Sequence, residues 1–534
     1  MSRSLFDLIF LDGIVVDGTG NPWYKADVGV RNSKITTIGR LEKKEAQRKI
    51  NLNGLVISPG FIDIHSHSDY SPWFAPEADS HIYQGVTTDV IGNCGVSPAP
   101  ISDFLKEDNR LIAKEYNIKF DWSTFGTYLD KLDTMKTSIN IAPLVGQASI
   151  RMAVMGMDNR PPTRKELSLM KEHVAEAMKA GAFGLSTGLW YAPSGFAKTE
   201  EIIRLAKVAA KAGRIYASHI RGEGDPLIDA VKEAIRIGEE ANLPVEISHH
   251  KAMGMRNWGK VQETLRLIGE ARERGVDVTA DVYAWTANAT GLTAMLPHWV
   301  HAGGPEEFIK RLKDKETRSK IKKDIIAGIP GWESLVSECG WDRVMITRSP
   351  NHEEYEGQMV QEIADKKKID AYDFVFDLLI KEELQVEIVI FSINEEDAMY
   401  VMKHPLTMIA SDSSSICPRG YIGKGKPHPR GYGNAVQFLG TYVRDKGLMP
   451  LEQGVRKLTS FPAQKIGLKD RGLLKEGYAA DLAVFDPKKV ANNATYQDPH
   501  KYPTGVHFVV VNGVIVVENG KHMGTYPGKI LRKR

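Results

Sequence analysis

The chain has 534 residues, and its 70 Lys and Arg against 67 Asp and Glu leave a formal charge of +3. So balanced a charge excludes a dedicated nucleic-acid binder, which concentrates a basic face against phosphates. With 42% hydrophobic and 26% charged residues, the composition also excludes a mainly disordered, collagen-like or coiled-coil chain and assures a sizeable core. Cys94, Cys339 and Cys417 are too few to staple a chain of this length, so a reducing, cytoplasmic compartment is expected. Asp7 and Asp12 interrupt the apolar run from Leu5 to Val16, and no window approaches the roughly 18 apolar residues of a membrane span, so no membrane partner is expected.

Taken in chain order, the N-terminal region reads as β-hairpins. Phe6 to Phe10 and Ile14 to Val16 flank Asp12-Gly13, and Asp27 to Val30 and Ile35 to Ile38 flank the polar turn Asn32 to Lys34. The middle is different. Runs of strand length recur at Gly60–His67, Val86–Asn93, Ile139–Gly146, Phe183–Thr187, Ile215–Ile220, Val245–His249, Val276–Val282 and Thr407–Asp412, which makes eight. Between several of them lie amphipathic helical patterns, Arg164 to Lys179, Glu200 to Ala212 and Leu227 to Ala241, with Gly181, Gly213 and Gly275 placed as C-terminal stops. This alternation predicts a (β/α)8 TIM barrel with functional residues at the strand C-termini. The spacing breaks once, before the eighth strand, where helical patterns near Lys310 to Lys323 and Tyr372 to Glu382 predict an inserted subdomain walling the barrel mouth. At the C-terminal end Ala480 to Phe485 reads as a strand, and Val506 to Val511 and Val514 to Val517 flank Asn512-Gly513, a strong hairpin signal. A lone hairpin is marginal, so the two β-rich ends are expected to meet in one small β-sandwich. The expected division is residues 1–60 for its N-terminal part, 61–298 for barrel strands one to seven and 299–405 for the insertion. Residues 406–469 then hold strand eight, a lid loop and closing helices, and 470–534 the C-terminal part.

The residues that could carry chemistry fall at strand ends. His65 and His67 close the first strand, and i and i+2 on a strand share a face, so both imidazoles can aim at one point. Cys94 follows the second strand between glycines in Gly92-Asn93-Cys94-Gly95, while His219, His249 and Asp412 close the fifth, sixth and eighth. Any one of these alone is more often structural. Together they deliver a thiol, imidazoles and a carboxylate to one end of a barrel, which suits zinc with a carboxylate general base for hydrolysis.

The stretches PGFIDIHSHSD, QGVTTDVIGNCG, YASHIRGEG, VEISHHKAMG, ASD, KPHPRGYG, LTSFPAQKIGL and EGYAADLAVFDP carry a resemblance. From about residue 50 to the C-terminus the chain is similar to the amidohydrolase superfamily and, within it, to the D-aminoacylase (N-acyl-D-amino-acid deacylase) branch, for which GNCG with SHHK and HPR is specific. The resemblance implies one tightly held zinc on Cys94, His219 and His249, and room for a second, weaker position on His65, His67 and Asp412 with Cys94 bridging. Many superfamily relatives bridge two metals with a carboxylated lysine on strand four, but Phe183-Gly184-Leu185-Ser186-Thr187 has none, in keeping with the cysteine branch. His250, on the opposite face from His249, reads as supporting or core.

The resemblance further implies that Lys251, Arg430 and Tyr191 hold a substrate carboxylate, with Arg430 in an irregular Ser413 to Gly433 stretch expected to be a mobile loop closing over the site. One segment departs from the family: where a serine usually helps, this chain has Ala289 within Thr286 to Gly291, so that Asn288 or Thr290 substitutes or the substrate differs. The expected function is zinc-dependent hydrolysis of N-acyl-D-amino acids, with Asp412 as base, a small-molecule substrate and no nucleic acid or membrane partner; the sequence does not give the oligomeric state. The alternatives are a dipeptidase for peptides ending in a D-residue, a cyclic-amide hydrolase, a Cys94-nucleophile amidase and a non-catalytic barrel.

Overall fold

The structure, a computed structural model, describes residues 5–533. Residues 1–4 and 534, the outer ends of the two terminal segments, lie outside the described residues.

Eight parallel strands build the barrel: Phe61–Asp63, Val86–Ile91, Asn140–Pro143 continued by Val145–Gly146, Gly184–Gly188, Ile215–His219, Val245–Ile247, Val278–Val282 and Thr407–Ile409. Neighbours pair in parallel around the ring. It closes where the first and eighth strands end. There the Asp412 N–H donates to the His65 carbonyl at 2.8 Å and the His67 N–H to the Ser413 carbonyl at 2.9 Å. The strands are short unbroken apolar or small-residue runs because barrel interior and helices bury both of their faces. Helices Arg164–Ala180, Thr199–Lys211 and Leu227–Ala241 each turn one apolar stripe inward, Leu167, Met170 and Val174 in the first. Thr163 and Glu166 open that helix with a reciprocal capping box. Gly181 ends it at φ 112°, and a Cβ there would lie 2.6 Å from Cβ of Arg532, so the C-terminal tail packs directly against this turn.

Both chain ends contribute to one nine-stranded sheet, joined where Leu482–Phe485 pairs antiparallel with Val56–Pro59. Phe10, Val28, Ile57, Leu482, Val484 and Phe508 fill its core. Asp12-Gly13 is not a hairpin turn. Phe6–Val15 is one strand, paired along its length with Tyr24–Arg31, and Asp12 takes φ 52° in a bulge where the register shifts. The Asp12 N–H donates to Asp27 Oδ1 at 2.9 Å, which holds the extra residue in place.

The inserted unit begins earlier than residue 299. Its first strand is Asn288–Gly291, on the edge of an antiparallel three-stranded sheet with Glu387–Ile390 in the centre and Val344–Arg348 beyond. A polar edge strand of four residues carries little apolar pattern, which hides it in the sequence. Helix Glu395–Lys403 packs on strands seven and eight and so belongs to the barrel, not the insertion. The unit's core, with Phe308, Val344, Phe374 and Ile388, also takes in Trp190 and Met253 from the barrel mouth. Among the described residues no helix is long and apolar enough to cross a membrane.

Candidate active site and metal centre

At the mouth of the barrel Cys94 sits in a turn that depends on Gly92. Gly92 takes φ 76°, and a Cβ on it would lie 2.0 Å from the Leu144 carbonyl oxygen. Ser186 of strand four fastens both sides of the turn, donating to the Gly92 carbonyl and accepting from the Gly95 N–H. Cys94 itself adopts φ 50°, His249 φ 36° and Asp412 φ 50°. Left-handed backbone at three non-glycine residues that converge on one point is the strain expected of a functional site held by its surroundings.

The thiol lies 3.3 Å from His65 Nε2, 3.6 Å from His249 Nε2 and 3.7 Å from His219 Nδ1. Asp412 Oδ1 is 3.0 Å from His67 Nε2 and 3.4 Å from His65 Nε2. Two donor groups emerge, His65, His67, Cys94 and Asp412 in one and Cys94, His219 and His249 in the other, with the atoms of each within 4.8 Å of one another. A thiol shared between imidazoles and a carboxylate fits a soft or borderline divalent cation such as zinc.

The electrostatics favour an ionised thiol and an ionised carboxylate. Burial opposes ionisation of Cys94, but His65, His219 and His249 outweigh it and hold the thiol well below its ordinary pKa. Burial likewise opposes the charge on Asp412, and Arg430, His249, His65 and His67 overcome it, so the carboxyl is held well below the usual range.

The three residues expected around the substrate all line a cavity of about 450 Å³ that opens over the thiol. They are not equally free. The Lys251 ammonium donates to Glu223 Oε1 at 2.7 Å and to the His249 carbonyl at 2.9 Å. Arg430 gives Nη2 to Asp412 Oδ2 at 2.9 Å while its buried Nε and Nη1 have no partner. Arg430 is not in a loop: it opens helix Arg430–Gln437 and is buried. Tyr191 and Thr290 hydroxyls meet at 3.1 Å, whereas Asn288 is engaged by the Ser392 hydroxyl. Of the two polar neighbours of Ala289, Thr290 is thus the one whose side chain meets Tyr191. His250 points away, its Nε2 2.7 Å from the Thr264 hydroxyl, and belongs to the core.

The chain matches the amidohydrolase family model over residues 48–517. It is 36% identical to a D-aminoacylase of Alcaligenes xylosoxydans xylosoxydans, over 99% of this chain and 98% of that protein. The chain belongs to the amidohydrolase family. A solved D-aminoacylase with a binuclear metal centre, described as showing one-metal activation and second-metal attenuation, superposes with a TM-score of 0.82 at 35% identity, covering 99% of this chain and 100% of that one. The N-acyl-D-glutamate deacylase of Bordetella bronchiseptica, solved with zinc and a phosphonate mimic of the tetrahedral intermediate, gives 0.82 at 32% identity over the same shares.

In this amidohydrolase Glu223, Asp281, Asp63 and Tyr283 also pack around these groups. Glu223 lies within YASHIRGEG, four residues beyond His219, and its carboxylate is 2.9 Å from His249 Nδ1. Asp281 is the penultimate residue of strand seven; it accepts the His249 N–H at 2.8 Å and lies 3.3 Å from His65 Nδ1. Asp63, two residues before His65 and so on the same face, accepts the N–H groups of His65 and Ser411 and joins strand ends one and eight. Tyr283 places its ring 4.6 Å from the Arg430 guanidinium and 5.6 Å from Lys251 Nζ.

Proposed function

We propose that this chain is a zinc-dependent hydrolase that cleaves the amide bond of N-acyl-D-amino acids, releasing a carboxylate and a D-amino acid. One observation carries the reading: a single thiol lies within 3.7 Å of three imidazoles at the barrel mouth, beneath a cavity walled by Arg430. Cys94, His219 and His249 would hold one zinc tightly, and His65, His67 and Asp412 a second, weaker position with Cys94 between the two. The chemistry a zinc ion would supply there is polarisation of the scissile carbonyl and a more nucleophilic water at neutral pH.

The chain's own groups do the rest. Asp412, kept ionised, accepts the proton of the attacking water and returns it to the leaving amine. The unpartnered Nε and Nη1 of Arg430 take the substrate carboxylate, with Lys251 adding charge and Tyr191, backed by Thr290, a hydroxyl. Phe104, Leu105, Met152, Met157 and Leu296 form an apolar wall for the acyl group or side chain. The D-stereochemistry is supported by relatives that match the full length of the chain. All three cysteines are unpaired, as is usual in a reducing compartment, which supports a cytoplasmic location.

Elemental analysis of the purified protein alongside a panel of N-acyl-D and N-acyl-L amino acids tests this directly. Bound zinc with hydrolysis of the D-series alone is expected, and a metal-free active enzyme or equal turnover of L-substrates would overturn it.

A further inference from the structure

We propose that Glu223 is a positioning residue that sets His249 for the metal and Lys251 for the substrate at the same time. The inference rests on the zinc reading above. Glu223 Oε1 accepts from Lys251 Nζ at 2.7 Å and lies 2.9 Å from His249 Nδ1, and Oε2 is 3.9 Å from His219 Nε2. All four side chains are buried. His249 turns Nε2 toward the Cys94 thiol, so its ring hydrogen belongs on Nδ1, where the Glu223 carboxylate is the acceptor. His219 is reversed, with Nδ1 toward the thiol and Nε2 toward the other oxygen of the same carboxylate. One anion thus faces the outer nitrogens of both imidazoles.

Lys251 completes a triangle, with Nζ 3.0 Å from His249 Nδ1. Two donors so close inside a protein need a negative charge between them, and Glu223 supplies it. The carboxylate is itself held in place through its backbone. The Glu223 N–H donates to Glu333 Oε2 at 3.0 Å, and its carbonyl accepts from the Met253 N–H at 2.7 Å. The inserted unit grips its backbone from one side and the loop after strand six from the other, which fixes the point of the chain from which the carboxylate reaches the metal side and the substrate side of the site.

Two substitutions separate these jobs. Glu223→Gln keeps the reach and removes the charge, whereas Glu223→Asp keeps the charge and withdraws it by one methylene. From the zinc-loaded enzyme, release of zinc to excess chelator should be on the order of tenfold faster in both variants, in the usual range for losing an outer partner of a ligand histidine. The KM for N-acetyl-D-leucine should rise in Glu223→Gln, where no charge holds Lys251 in place as an ammonium, and stay near the native value in Glu223→Asp. Native release rates in both variants overturn the metal-side role, and equal KM values in the two overturn the link to Lys251. A native enzyme without zinc, or one that leaves N-acetyl-D-leucine intact, would instead sink the zinc amide-hydrolase reading. Should neither variant fold, 15N-histidine spectra of the native zinc enzyme carry the test: an exchange-protected proton on His249 Nδ1 is expected, and one on Nε2 overturns the proposal.

Discussion

Arg430 is tied to Asp412 by one nitrogen, Nη2 to Oδ2 at 2.9 Å, and keeps its Nε and Nη1 buried and unpartnered. A guanidinium left two-thirds unsatisfied in a buried site is costly unless a ligand completes it. Lys251 differs, being already compensated by Glu223. Replacing the substrate carboxylate by a neutral amide should therefore cost the native enzyme on the order of 10² or more in kcat/KM, the usual scale for stripping a partner from a desolvated charge. In Arg430→Met the same replacement should cost little further, because the two losses overlap. Lys251→Met should leave most of the discrimination intact. Equal turnover of acids and amides by the native enzyme would remove the carboxylate anchor altogether.

Asp412 divides its partners between its oxygens, with His67 and His65 at Oδ1 and Arg430 at Oδ2. Asp412→Asn preserves the shape but removes the proton acceptor. Its kcat should drop by roughly 10² or more, the range of general-base loss, while one zinc equivalent stays on Cys94, His219 and His249. Turnover near the native rate would assign the proton to another group.

The three thiols separate cleanly. Cys94 is held well below its ordinary pKa despite burial, whereas burial pushes Cys339 up to about 12 and raises Cys417 as well. Only the first is a ready metal ligand at neutral pH. Cys94→Ala should lose zinc together with activity, and Cys339→Ala should lose neither. A full zinc equivalent in Cys94→Ala, by elemental analysis, would refute its ligand role.

The barrel was legible because its strands are buried on both faces and read as compact apolar runs, and because Gly181, Gly213 and Gly275 take the positive φ of helix stops. What escaped has physical causes. Asp12-Gly13 satisfies a turn and a bulge equally well, and pairing with Tyr24–Arg31 decides between them. Asn288–Gly291 is a strand only by virtue of its partner Glu387–Ile390. Arg430 follows Pro429, a helix-opening context within a glycine-rich stretch that otherwise suggests a loop. Ligand candidates stood out by residue type, but Glu223 and Asp281 hold ligands rather than offering themselves, and such partners become visible only when the chain brings the imidazoles to them.

Glu333 gives the fold a pH signature of its own. Burial pushes its carboxyl up to about 8 from an ordinary 4.5, with Glu338 and Glu223 nearby adding to the shift and the N–H groups of Glu223 and Gly224 opposing it. In that window the folded protein keeps a proton that the unfolded chain has released, so this group's contribution makes stability fall as pH rises from 4.5 to about 8 and leaves it unchanged below. Glu333→Gln retains an oxygen for the Glu223 N–H but cannot ionise. The variant should match the native protein at about pH 5 and exceed it at about pH 8.5 by on the order of 2 kcal/mol or more, each pKa unit being worth about 1.4 kcal/mol. Paired denaturation curves at saturating zinc provide the check, since the pH dependence of metal binding is common to both proteins and cancels in their difference. A difference that stays constant across the range would mean that Glu333 does not titrate there, and that a charged carboxylate holds the Glu223 loop at every pH.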